Sequence, residues 1–362
     1  MSLIRRQRPS IRIVLSSAFL YLLLGSACAD SGPSAGEARE EAARTQAQAG
    51  QERSGEAAGS MERWTRIELV DHYSLKGDVF EDEDLSGIAP LSDKYFLIGA
   101  DEGRAVQVVE LSRQAKTLRV VKSIPLVRSG QEIDIEAIAA EGDWCYITGS
   151  HGISKKRGER QDNRFKIFRM KVDPKTHMPA DPEVASLWDA ISADPVLGEH
   201  FLQPLQQRGV NIEGLAVRNG RLFVGFRGPN LGGDAFVMEI PADDLFAGKL
   251  RTDNVLHRLH LGEGLGIRDI VAAKTGFLLI AGNSGSEPSE KYTEAENYEE
   301  DRDFSMFAWD GKNSEVHRIG SIPETPGKAE AMTILEESAT EATVLVLFDG
   351  PKGGQPTVYR ID

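Results

Sequence analysis

Between residues 84 and 334 one pattern of apolar and polar positions is written five times. The copies are Asp84-Leu-Ser-Gly-Ile-Ala89, Asp134-Ile-Glu-Ala-Ile-Ala139, Asn211-Ile-Glu-Gly-Leu-Ala216, Gly266-Ile-Arg-Asp-Ile-Val271 and Lys328-Ala-Glu-Ala-Met-Thr333. Each is followed by a second apolar run that ends in a Gly/Asp-rich turn, and then by further alternating stretches. The pattern predicts strands at 85–90, 95–100, 105–111 and 118–124, then 134–139, 144–149, 165–172 and a weak 184–187. It continues with 211–217, 222–227, 236–240 and 255–261, then 266–272, 277–282, 304–309 and 316–322. A repeat of this length built from strands predicts an all-β fold, a β-propeller with one blade per copy.

The fifth copy has only three strands, 328–335, 343–348 and 358–361. The alternating segment 64–72 precedes the first blade and is the natural donor of the missing one. Its pairing with the C-terminal strand would close the ring and hide two sheet edges. Five blades is the reading, and six the alternative, since 173–210 is long enough to hold more. That segment reads as helical over 182–189 and 195–207, an excursion packed on one end of the ring.

Ahead of the ring lie two other kinds of segment. Arg5, Arg6, Arg8 and Arg12 precede a short apolar stretch, 13–24, that ends Leu24-Gly25-Ser26-Ala27-Cys28. This resembles the lipobox of bacterial lipoproteins, with Gly25 where Leu is usual. Residues 1–27 are then a signal peptide and Cys28 the lipidated residue; ordinary secretory cleavage is the alternative. Two or more acyl chains would hold the protein on a membrane. Ala29 after the cysteine points to the bacterial outer membrane, facing the periplasm. Residues 28–62 are rich in Ala, Gly, Glu, Ser and Gln and read as a flexible tether, which leaves 63–362 for the propeller.

The formal charge of −14 becomes −18 without a leader that carries four arginines and no acid. Such a surface argues against nucleic acid as a partner and against charge-driven binding to anionic lipid, and it suits capture of cations. Of the two cysteines, Cys145 lies in an alternating strand and reads as a small buried hydrophobe, so no disulfide framework is expected.

In a propeller the start of each innermost strand and the turn after the second strand share one end of the ring. The repeats therefore bring Asp84, Asp134, Glu136, Glu213, Arg268, Asp269, Lys328 and Glu330 together with His151, Arg227, Asn283 and Asp349. Like charges a few ångströms apart repel by about 1 kcal/mol in water and roughly four times that near a protein surface. Three glutamates in one repeat slot therefore need a divalent cation, basic neighbours or a retained proton. Calcium fits the oxygen donors of Glu136, Glu213, Glu330, Asp134 and Asp84. Arg227, Arg268, Asn283, Lys328 and Asp349 are candidate ligand contacts, and His151 and Asp269 candidate proton carriers. A basic turn at 152–160 and an acidic one at 285–303 fall at the same end and are expected to cover it. A structural ion-pair plug is the competing reading.

No EF-hand, phosphate loop, nucleophile elbow or His-rich metal motif is present in this sequence. Gly209-Val-Asn-Ile-Glu-Gly-Leu-Ala216 followed by Gly220-Arg-Leu-Phe-Val-Gly-Phe-Arg-Gly-Pro229 resembles a bacterial propeller family, domain of unknown function 3616. So do Gly149-Ser-His151 with 163–169, and 266–269 with 279–282. The resemblance spans roughly 80–362 and points to Glu213, Arg227, Arg268 and Asp269 without assigning roles. Distant relatives of that family resemble phytase-like esterase propellers, some of which handle phosphate esters with calcium. Three functions follow: an envelope-tethered module binding a small polar or ionic ligand, a calcium-assisted phosphate or carboxylic ester hydrolase, or a structural envelope lipoprotein. The absence of an identifiable nucleophile or ordered acid–base pair favours the first.

Overall fold

A computed structural model describes residues 64–249 and 254–362. The leader, Cys28 and the tether lie outside the described residues. Strands β1 (Ile67–His72) and β2 (Ser74–Lys76) lead into blade one, formed by β3 (Leu85–Pro90), β4 (Tyr95–Ala100), β5 (Ala105–Ser112) and β6 (Thr117–Pro125). Blade two holds β7 (Ile135–Glu141), β8 (Trp144–Gly149), β9 (Ile167–Lys171) and β10 (Glu183–Ala185). Blade three holds β11 (Asn211–Arg218), β12 (Arg221–Leu231), β13 (Asp234–Pro241) and β14 (Val255–His260). Blade four holds β15 (Leu265–Ala273), β16 (Gly276–Asn283), β17 (Ser305–Trp309) and β18 (His317–Ser321). Blade five holds β19 (Lys328–Glu337), β20 (Ala342–Asp349) and β21 (Thr357–Ile361).

Among the described residues the sheets number five, so the ring has five blades rather than six. β1 is the outermost strand of the fifth sheet, antiparallel to β21, with Ile67 opposite Ile361 and His72 opposite Thr357. The first and last strands therefore close the ring as the alternation of 64–72 predicts. β2 adds a parallel strand outside β6. Apolar side chains from adjacent sheets interdigitate between blades: Leu278, Met306, Val344 and Phe348 share one cluster with Trp64, Ile319 and Tyr359.

Every innermost strand carries the same irregularity. The register skips one residue in β3, β7, β11, β15 and β19. The skipped residues are Ser86, Glu136, Glu213, Arg268 and Glu330. A bulge of this kind re-aims one side chain while the flanking residues stay in the ladder. It also explains why the flanking apolar residues lie three apart in sequence, as in Ile135 and Ile138, rather than two. The residue after the bulge is small because the next blade is close. A Cβ on Gly87 would meet Ile138 Cγ1 at 2.7 Å, and one on Gly214 would meet Ile270 Cγ2 at 3.0 Å.

The excursion between blades two and three is less helical than its spacing predicts. Within 182–189 the chain forms β10 at Glu183–Ala185, close to the weak strand expected at 184–187, and it supplies the outer strand that the second blade needs. Two short helices follow, α1 (Trp188–Ala193) and α2 (Leu197–His200), and a single 3-10 turn at Leu205–Gln207. Leu187, Ile191, Leu197, Phe201 and Leu205 pack on Phe165, Val210, Ile212 and Phe226, so the excursion does cap one end of the ring. No helix among the described residues is long and apolar enough to cross a membrane.

Trp64 is 2 % exposed and anchors the closing strand, and its carbonyl accepts a hydrogen bond from His317 Nε2 at 2.9 Å. Trp64→Ala is expected to cost about 3–5 kcal/mol. The check is the shift of the urea unfolding midpoint at unchanged slope.

Candidate functional site

The five bulges place one side chain per blade around the axis, and all five are buried: Ser86, Glu136, Glu213, Arg268 and Glu330. Their order around the ring decides their fates. Arg268 belongs to the fourth blade and reaches its two neighbours. Its Nε lies 2.8 Å from Glu213 Oε2 of the third blade, and its guanidinium also pairs with Glu330 Oε1 of the fifth. Arg227, from the end of the third blade's second strand, adds an ion pair to Glu213 Oε1 at 2.8 Å. Arg227 also donates from Nε to the Asn283 carbonyl at 3.0 Å and from Nη2 to the Gly285 carbonyl at 2.5 Å. Glu330, Arg268, Glu213 and Arg227 thus form a continuous buried ladder.

The charges tune one another. Burial raises the Glu213 pKa, but Arg227 and Arg268 outweigh it, and the carboxyl ends below its ordinary value. Arg268 is pushed down to about 10 by burial and by Arg227, against the pull of Glu213 and Glu136.

Glu136 occupies the same slot as Glu213 and Glu330 but has no such partner. Its blade neighbours bring Ser86 on one side and Glu213 on the other, and the single arginine of the ring stands beyond Glu213. Ser86 spends its hydroxyl on the Ile135 carbonyl. Among the described residues the Glu136 carboxylate accepts no hydrogen bond and makes no ion pair. Burial, then Glu213 and Asp134, raise its pKa well above the ordinary value, with Lys155 opposing.

The turns of the first two blades extend this uncompensated side. Asp101 is pushed up to about 7 by burial and by Asp134, and its Oδ1 is buried without a hydrogen-bond donor. Asp134 pairs with Arg164 NH1 at 3.0 Å, yet burial still leaves its pKa raised. Asp84 is raised by burial and by Glu102. The mouth is therefore polarised: acids with raised pKa values beside blades one and two, of which Asp134 alone pairs with an arginine, and an arginine-compensated ladder beside blades three to five.

The residues expected from the sequence divide accordingly. Glu136, Asp134 and Asp84 lie on the side of raised pKa values, where Asp134 is paired with Arg164. Glu213 and Glu330 are engaged by arginines, so the three aligned glutamates do not form a common ligand set. Among the described residues, the acids whose carboxylate oxygens all lie within 4.8 Å of one another are Glu81, Asp84 and Glu102 on the rim. Lys328 and Asp349 pair with each other at 2.5 Å. Asn283 is occupied by the acidic loop: its Oδ1 accepts from Glu299 N and Arg302 Nε, and its Nδ2 donates to the Glu299 carbonyl.

Both proton-carrier candidates bond the backbone with their side chains. His151 is fully buried and edge-on to Phe165. Its Nε2 accepts the Leu187 N–H at 3.1 Å, so Nδ1 carries the proton and donates to the Gly149 carbonyl at 3.0 Å. Burial depresses its pKa to about 4. Asp269 accepts the backbone N–H of Met332 at 2.6 Å and of Ile270 at 2.8 Å, stitching blade four to blade five. Burial lifts its carboxyl well above the ordinary range.

The two charged loops contact each other. Lys291 Nζ donates to the Arg157 carbonyl at 2.7 Å, and Arg208 pairs with Glu296 at 2.7 Å. Buried Gln206 donates from Nε2 to the carbonyls of both Lys155 and Glu287, each at 3.1 Å. Gln206, Lys155 and Arg164 join the site without having been singled out from sequence, whereas Asp101 belongs to the second-strand turns that the repeat brings to the mouth. Lys155 and Arg164 sit in or beside the basic turn, a signal of charge but not of direction. Cys145 is fully buried, with its thiol pushed up to about 12 by burial, as its strand position predicts.

The family model for proteins of unknown function, DUF3616, matches residues 84–173 and 172–357. The chain belongs to the DUF3616 family. This DUF3616 member has no match among curated protein sequences. Among solved structures it is similar to the glutaminyl cyclase of Myxococcus xanthus, at 11 % identity and TM-score 0.44 over 82 % of this chain and 95 % of that one. It is similar also to a PQQ-bound aldose sugar dehydrogenase from Streptomyces coelicolor, at 12 % identity and TM-score 0.42 over 82 % and 98 % of the two chains.

Two predictions follow from this geometry. Arg268→Met strands Glu330 and half of Glu213 and should cost about 3–5 kcal/mol of stability. Adding Glu330→Gln should recover part of that loss, read from urea midpoints of the two variants. For His151 the folded pKa of about 4 lies below the ordinary 6.5. The unfolded chain therefore takes up the proton first, and the stability tied to the neutral ring is lost as pH falls from about 6.5 towards 4. His151→Phe leaves the Leu187 N–H unpaired and should cost about 1–3 kcal/mol at neutral pH. Its gap to wild type should narrow on acidification; a constant gap across that range would show that the ring does not titrate with folding.

Proposed function

We propose that this DUF3616 propeller is an exported, lipid-tethered binding module that holds a small cation, calcium or an organic ammonium, at the axial mouth. The tether rests on the sequence 24–28 and its lipobox pattern, and it would place the ring at the bacterial outer membrane, facing the periplasm. The observation that carries the binding reading is Glu136. It is 5 % exposed, sits in the same bulge slot as two glutamates that have arginine partners, and has none itself. A buried carboxylate without a partner is costly unless it holds a proton or a cation. Asp101 Oδ1 and Asn211 Oδ1 are likewise buried acceptors without donors.

The chemistry of this oxygen-rich, donor-poor side suits a hard cation or a donor-rich ammonium group. Glu136 would be the first ligand, with Asp101 and Asp134 beside it and Asp84 towards the rim. Arg227 and Arg268 would act indirectly by fixing Glu213, so that the repulsion on Glu136 is set by a rigid neighbour. Binding is favoured over ester hydrolysis because His151 and Asp269 have their polar atoms committed to the backbone.

The test is calorimetric titration of the full chain with calcium and with methylammonium. A cation that binds should also raise thermal stability, by about 2.7 kcal/mol at one hundred times its dissociation constant. Glu136→Gln should abolish both signals. Binding that survives this substitution, or no binding of either cation, would overturn the reading.

A further inference from the structure

We infer that the axis of the ring, beyond the charged mouth, holds a second binding site, for a small neutral molecule with an apolar body and one hydroxyl or carbonyl group. The site is a cavity of about 110 Å³ lined by three consecutive residues from each of the five inner strands, from Ile88–Pro90 in the first blade to Met332–Ile334 in the fifth. These residues follow the bulges by two to four positions. The cavity therefore lies further along the same strands, roughly 10 Å from the ring of Glu136 and Arg268 at a rise of about 3.3 Å per residue. No ionisable side chain lines it, which sets it apart from the cation site and disfavours a charged occupant.

The space exists because the middle residue of each trio is short: Ala89, Ala139, Ala216, Val271 and Thr333. The longer side chains just before them, such as Ile138 and Met332, belong to the apolar clusters between blades. Thr333 is the one polar side chain of the lining. It is fully buried, and its Oγ1 has no hydrogen-bond partner among the described residues. Val271 occupies the same repeat slot, so a β-branched side chain fits there without a hydroxyl. A buried hydroxyl left unpaired costs stability, and a ligand that pairs it recovers that cost. Because a hydroxyl both donates and accepts, a ligand hydroxyl or carbonyl would serve.

Size and access point to the same class. An apolar protein cavity of about 150 Å³ takes benzene, so this one suits a molecule of about one ring. It is not sealed. Pro90, Ala140 and Ile334 also line a cleft of about 340 Å³ beside blades five, one and two. Pro90 is exposed, and Ala140 and Ile334 are half-buried, so the cleft offers a way in. Each inner strand is also the edge of its sheet, so backbone groups face the axis and can assist the ligand's polar group.

The test titrates phenol and benzene, which differ by one hydroxyl, into the full chain labelled at its methionine methyls. The nuclear magnetic resonance signal of Met332 is the local reporter. Both compounds should move it saturably, phenol binding about three- to tenfold more tightly, the worth of one neutral hydrogen bond. In Thr333→Val that preference should vanish while benzene binds at least as well as in wild type. The melting temperature of Thr333→Val should not fall, because the group it removes is buried and unpaired. Ala140→Leu, at the junction with the cleft, should weaken both compounds alike. Equal binding of the two compounds by wild type, or a preference for phenol that persists in Thr333→Val, would overturn the inference. So would a Met332 signal that neither compound moves, which would leave a channel filled by water.

Discussion

A carboxylate removed from water must find a positive partner, a proton or an ion, and the mouth of this propeller is organised around that constraint. Five bulges turn one residue per blade towards the axis, and the ring they form contains one cation, Arg268. A guanidinium in the fourth blade can touch the third and fifth blades but not the second. Glu213 and Glu330 are therefore compensated by adjacency, with Arg227 completing the third blade, while Glu136 is left alone by its place in the ring. The same repeat slot produces a structural ion pair in two blades and an unmet charge in a third.

The scaffold makes this asymmetry rigid. Asp269 reaches across from the residue after the fourth bulge to the Met332 N–H, and Ser86 reaches from the first bulge to the Ile135 carbonyl. These contacts pin successive inner strands where a sheet edge would otherwise show unpaired groups. The pairing of β1 with β21 then prevents the ring from opening at its one covalent break. Because the blades cannot slide, the carboxylates cannot escape their burial, and burial first, with repulsion added at Glu136 and Asp101, keeps the pKa values of Glu136, Asp134 and Asp101 raised.

Strands and ring closure were legible because alternation at period two survives in every blade, so the edges of nearly all strands follow from apolar spacing alone. The convergence of Glu136, Glu213, Arg268 and Glu330 was legible for the same reason: a repeat slot is a position in space. Partnership was not. That Arg227 should serve Glu213 while Arg164 serves Asp134 depends on the lengths of turns that carry no periodic signal. His151 shows the limit most clearly. Its place after β8 puts it at the mouth, but its left-handed backbone, with φ of 50°, turns the ring away towards Phe165. The excursion then seals it with the Leu187 N–H. A chain segment almost forty residues later thus decides what the imidazole can do. The strand β10 was misread in part for a related reason, since three residues are too few for alternation to be distinguished from one helical turn.

The excursion also links fold to function. It could have been a passive cap, since its apolar residues only extend the core between blades two and three. Gln206 makes it more than that, because one buried amide holds the basic loop and the acidic loop at fixed separation. Two oppositely charged loops left to themselves would pair and screen each other, with Lys155 free to join the acids of 285–303. Held by their backbones instead, both loops stay anchored to the excursion through Gln206. The electrostatics of the mouth is thus set by position: an arginine one blade too far from Glu136, and a glutamine that holds both charged loops by their backbones.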